Sequence, residues 1–85
     1  MTVEIVTPKG VLLKKDNVKE LAAPGICGDF GVWKNHVSFV TALREGAVSI
    51  TDDEQKKTML NIKDGIFEVL NNKILVLTES GEIKE

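Results

Sequence analysis

Apolar and polar positions alternate with a period of two through much of the second half of the chain. Val48 and Ile50 alternate with Ser49 and Thr51, and Leu60 and Ile62 with Asn61 and Lys63, the period of a strand with one face in a core. Turn-forming residues interrupt the chain at short intervals: Pro8 to Gly10, Asp16 and Asn17, Pro24 and Gly25, Gly28 to Gly31, Glu45 and Gly46, Asp52 to Glu54, Asp64 and Gly65, Asn71 and Asn72, Ser80 and Gly81. Short strands fit between these breaks, and the crossover helices of a βαβ unit do not. The pattern predicts an all-β fold of two packed antiparallel sheets with about 8–10 short strands.

Asp64 and Gly65 supply the positive φ of a tight reversal, predicting a hairpin between a strand ending at Lys63 and one from Ile66 to Leu70. Asn71 and Asn72 do the same before a strand from Lys73 to Thr78, so the two hairpins form a predicted meander. Thr51 to Ile62 offers a helix cap in Thr51 or Asp52. Its apolar positions bunch at Met59, Leu60 and Ile62, however, which denies a helix its stripe and favours a strand. Asn17 to Ala23 is likewise read as a strand. In Phe39 to Leu43 and in Ile74 to Leu77 both parities are largely apolar. Either a second sheet or loop of the same domain covers the outer side of these strands, or a partner protein does.

Composition agrees with strands, with 10 Val, 7 Ile and 6 Thr against 4 Ala. The 85 residues allow one domain, spanning 1–85. One cysteine, Cys27, cannot form an intramolecular disulfide, which suits a reducing compartment. No apolar run is long enough for a membrane-spanning helix or a signal peptide. A net charge of −2 gives no field to hold a phosphate backbone, so nucleic acid is not an expected partner.

Catalytic chemistry is thin. With one histidine and one cysteine, His36 and Cys27 fall short of the four ligands of a structural zinc site. A relay of Ser38, His36 and Asp29 lacks the strand-turn-helix elbow that exposes a nucleophile. Gly25 to Gly31 carries glycines every third residue but no Lys-Ser/Thr ending and no following helix, so it reads as a bend and not a phosphate cradle. Trp33 beside that bend is a packing or contact residue. These observations favour a small interaction module without catalytic residues, metal or cofactor; a β-barrel binding ligand or nucleic acid is the alternative, weakened by few aromatics and the acidic balance.

Glu4 to Gly10 resembles the opening strand and turn of a known family, and Pro24-Gly25 followed by Gly28 to Val32 resembles its Gly-Glu-x-Gly loop. His36, Thr41 to Leu43, Gly46 and Asp64 to Val69 follow in order. Together they resemble the N-terminal β-sandwich of the epsilon subunit of F-type ATP synthase, from about Val3 to Ser80. The resemblance implies a non-catalytic subunit of the central stalk that turns with the rotor, binds the gamma subunit and the c ring, and couples ion-driven rotation to ATP synthesis. It implies a peripheral position on the cytoplasmic face of the inner membrane, or the equivalent organelle compartment, reached only through the complex. Asp29, in the place of the family glutamate, with Phe30, Gly31 and Val32, is the expected c-ring contact. His36, Val37, Ser38, Phe39 and Thr41, with Thr7, are the expected gamma contacts, Phe39 as a buried anchor. Lys34-Asn35 and Val37-Ser38 stand where the family carries prolines. The family's C-terminal helical hairpin is expected to be absent from these 85 residues.

Overall fold

The computed structural model describes residues 1–35 and 38–84. It contains ten strands and, among the described residues, no helix: β1 (Thr2–Thr7), β2 (Gly10–Lys15), β3 (Val18–Gly25), β4 (Gly28–Trp33), β5 (Phe39–Leu43), β6 (Gly46–Asp52), β7 (Lys57–Ile62), β8 (Gly65–Leu70), β9 (Lys73–Leu77) and β10 (Gly81–Lys84). One sheet runs β10-β7-β6-β3 with β4 on the far edge of β3; the other runs β5-β8-β9-β1-β2. A single residue pair, Gly25 opposite Leu43, joins them into a nearly closed sandwich. A Cβ on Gly25 would lie 2.6 Å from the Gly28 carbonyl oxygen and 2.9 Å from the Phe30 ring. Three strands can therefore converge there only because the residue has no side chain.

The period of two is the core. Inward positions Val48, Ile50, Leu60, Ile62, Phe67, Val69, Ile74 and Val76 are buried together with Val3, Ile5, Val18, Leu21 and Val32. Phe30, Phe39 and Phe67 form a ring cluster between the sheets, with Phe30 edge-on to both others at centroid distances of 5.6 and 5.0 Å.

The Asn71 and Asn72 turn forms as expected, with both residues at positive φ (51° and 62°) between paired β8 and β9, the geometry of a type I′ hairpin. Asn17 to Ala23 falls largely in β3. Thr51 to Ile62 is the end of β6, a turn and β7. Asp52 organises that turn: its Oδ1 accepts the backbone N–H groups of Glu54 and Lys56, each at 2.9 Å. The oxygen considered for a helix cap thus does similar work for a turn.

Two expectations are corrected. Asp64 and Gly65 do not close a hairpin, because β7 pairs with β6 and β10 whereas β8 pairs with β5 and β9. The chain crosses there from one sheet to the other, with the Asp64 carbonyl accepting the Thr78 hydroxyl at 2.5 Å. In addition, not every pairing is antiparallel: β1 lies parallel to β9. A parallel neighbour needs a long connection, and here most of the chain separates the two strands.

Candidate interaction site

All the odd-to-even connections, at residues 8–9, 26–27, 44–45, 63–64 and 78–80, lie at one end of the sandwich. Gly25 faces both Gly28 and Leu43, Leu43 faces Gly65, and Thr78 donates its N–H to the Val6 carbonyl. Asp29 stands at this end and forms an ion pair with Arg44 across the joint between the sheets. Both side chains are exposed, so water screens the pair and its worth is at most about 1 kcal/mol. The surface offered here is consequently a neutralised pair and not a bare carboxylate.

Beside it, β4 and β5 diverge from Gly25 and leave a cleft of about 460 Å³. Asp29, Phe30 and Gly31 line one wall; Phe39, Val40 and Thr41 line the other. Residues expected on two separate contact surfaces are therefore brought to one seam. Val32 is not part of it: fully buried in the core, it supports the strand from within and has no surface to offer. Phe39 and Thr41 stand opposite Val69 and Phe67, both core residues, so their side chains point inward, and Phe39 is half-buried among the rings. His36 and Val37 lie outside the described residues. Ser38 is exposed at the opposite end from Asp29. The length of β4 separates the two, roughly 14 Å at 3.4 Å per residue, which excludes the relay.

Thr7 is elsewhere again. Two strands, β8 and β9, separate β1 from β5, and the Thr7 hydroxyl builds the β1–β2 turn by accepting the Lys9 N–H at 3.2 Å and donating to the Gly10 carbonyl at 3.3 Å.

The outer face of β5-β8-β9-β1-β2 carries what sequence reasoning only half found. Register aligns Ala42, Ile66, Leu77, Val6 and Val11 in one cross-strand row. The next row is Val40, Glu68, Leu75, Glu4 and Lys14. Val40 is 62% exposed, Val11 58%, Leu77 46% and Ile66 45%. Nothing within the described residues covers this face. Apolar residues at both parities of β5 and β9 signalled it; Val11 and Ile66 had no such signal. Val40, not Phe39, is the exposed apolar side chain of β5.

Among the described residues no three His, Cys, Asp or Glu side chains group to hold a metal ion, and no helix is long and apolar enough to cross a membrane.

Residues 1–84 match the family described as ATP synthase, Delta/Epsilon chain, beta-sandwich domain. The chain belongs to that family. An ATP synthase epsilon chain of Desulfosudis oleivorans is 41% identical over 85 residues, covering 100% of this chain and 63% of the relative. Another, of Thermodesulfovibrio yellowstonii, is 38% identical over 82 residues, covering 96% of this chain and 57% of the relative. This member of the delta/epsilon family thus spans about six tenths of these relatives. Its fold is similar to a chain in the Euglena gracilis mitochondrial ATP synthase structure of OSCP, F1 and c-ring, with a TM-score of 0.88 at 20% identity over 95% of this chain and 51% of that one. A chain in the central stalk and c-ring structure of the Tetrahymena thermophila mitochondrial enzyme gives 0.80 at 15% identity over 96% and 65%.

Proposed function

We propose that this β-sandwich is a non-catalytic part of the central stalk of an ATP synthase, that it binds the gamma subunit and the c ring, and that it couples ion-driven rotation to ATP synthesis. The observation that carries the reading is the family match over residues 1–84. The geometry supports it with two distinct surfaces. The loop end with Asp29, Phe30 and Gly31 is the c-ring contact, where shape outweighs the screened Asp29–Arg44 pair. The outer face of β5-β8-β9-β1-β2 is the gamma contact: its exposed apolar rows suit a protein partner, and Thr7 and Ser38 flank opposite corners of it. His36, Val37, Phe39 and Thr41 are carried as gamma contacts on the same reading, Phe39 and Thr41 at the seam edge. The chain reaches the membrane only through the complex, on the cytoplasmic face or its organelle equivalent.

Co-expression with the cognate gamma subunit tests this directly. A single complex on gel filtration is the expected result, and retention of a detergent-solubilised c ring by that complex is expected in a pull-down. Separate elution of the two chains at micromolar concentration overturns the reading.

A further inference from the structure

We infer, on the reading above, that Ile26 is an anchor of the gamma contact, the residue that carries the apolar row of the outer face across the joint between the sheets and onto the β3–β4 turn. Ile26 and Cys27 are the two residues of that turn. Such turns ordinarily take Asn, Asp or Gly. Here Gly28, at φ 134°, supplies the positive φ, so the turn asks nothing of the side chain at 26. The position nevertheless carries a β-branched aliphatic side chain that is 63% exposed. The tip is also fixed in place. The Ile26 N–H donates to the Ala42 carbonyl at 3.0 Å and the Arg44 N–H to the Pro24 carbonyl at 3.0 Å, on either side of the Gly25 and Leu43 pair.

Those bonds set a register. With Gly25 opposite Leu43, the next step of the ladder places Ile26 opposite Ala42, and residues directly opposite share a face. Leu43 is buried in the core and Ala42 begins the outer row, so Ile26 extends that row one strand beyond β5. A lone exposed aliphatic side chain needs no explanation, whereas one that continues an apolar row marks an interaction surface. Ala42 offers only a methyl group between Ile26 on one side, Ile66 on the other and Val40 two residues along the same face. These three neighbours are exposed and stand around it. A small residue among three exposed aliphatic ones makes a hollow suited to one apolar side chain of a protein partner. The hollow is continuous with the rows assigned to gamma, so gamma is its occupant, and the c ring keeps the Asp29 side of the same hairpin.

The test titrates gamma with the wild-type chain and with Ile26→Asn, Ile26→Leu and Ala42→Leu, and measures c-ring retention at saturating gamma. Asparagine suits a turn, so Ile26→Asn is expected to keep the thermal midpoint within a few degrees and to weaken gamma binding at least about tenfold, with c-ring retention unchanged. Ile26→Leu is expected to recover most of that loss. Ala42→Leu fills the hollow, leaves Ile26 in place and is expected to weaken gamma binding as well. Undiminished gamma affinity in Ile26→Asn overturns the anchor, and a loss of c-ring retention in that variant would assign Ile26 to the loop-end contact instead. Unchanged or tighter binding by Ala42→Leu overturns the hollow. If the wild-type chain does not bind gamma, the functional reading fails and the anchor with it, whereas wild-type binding beside an indifferent Ile26→Asn removes the anchor alone.

Discussion

Gly65 holds a backbone position where a side chain has nowhere to go. Its φ is 151°, and a Cβ there would lie 2.1 Å from the Leu77 carbonyl oxygen. Gly65→Ala must strain the backbone and push β9 away at the crossing between sheets, so a loss of at least about 2 kcal/mol is expected in urea unfolding. Asp52 makes a different kind of contribution. The Lys56 N–H is the largest influence holding its carboxyl below the usual carboxylate range; desolvation, the next largest, opposes it, and the Glu54 N–H and the Lys15 ammonium at 3.7 Å add to the lowering. A group whose folded pKa is depressed stabilises the fold above its unfolded pKa, and that contribution disappears as pH falls through the folded value. Thermal unfolding between pH 6 and about 2 should show the wild type losing part of its stability below about pH 4, and Asp52→Asn, less stable at neutral pH, losing correspondingly less in that window. Equal losses in the two proteins would remove Asp52 from the acid sensitivity.

At the scale of elements, β4 is an edge strand held by a single paired neighbour and by side chains that reach across the sandwich. It has one paired neighbour, and the Phe30 ring meets Phe39 and Phe67 edge-on from across the sandwich. Phe30→Ala is expected to cost about 2–3 kcal/mol, the low end for an aromatic truncation because the ring is only half-buried, and to accelerate amide exchange in β4 ahead of β6 and β7. Uniform acceleration across all strands would mean β4 has no separate stability. Such elements also mark where the sequence was legible. Alternation located β6 and β7, the flanking turn residues bounded β8, and Asn71-Asn72 fixed a hairpin because two left-handed residues between apolar strands admit few other conformations. Asp64-Gly65 was ambiguous in principle: a hairpin and a crossing between sheets both need positive φ, and only the partners of β7 and β8 decide. The parallel β1–β9 pair is written in no local pattern. Likewise, when both parities of β5 are apolar, nothing local says whether Phe39 or Val40 faces the core. The seam between β4 and β5 was accordingly visible as a set of residues and invisible as a place.

For the whole molecule, the two proposed contacts differ in position and in physics, which lets them be separated. The loop end presents a screened ion pair, glycines and a ring edge. The outer face presents a five-residue apolar row spanning roughly 19 Å at about 4.8 Å per strand, flanked by Glu4, Glu68 and Lys14 in the next row. Burial of such a row supplies affinity that survives salt, whereas exposed charges contribute little at physiological ionic strength. Paired substitutions Ile66→Glu and Leu77→Lys place opposite charges on cross-strand neighbours that are already exposed. They should leave the thermal midpoint within a few degrees while weakening gamma binding at least about a hundredfold, since two apolar anchors are lost from the centre of the contact. Arg44→Ala should leave gamma affinity unchanged and alter only retention of the c ring. Calorimetric titration with gamma and c-ring pull-down, run on both variants, give a two-by-two outcome. If the outer-face pair binds gamma normally while Arg44→Ala does not, gamma sits at the loop end, and the assignment of the two surfaces is reversed.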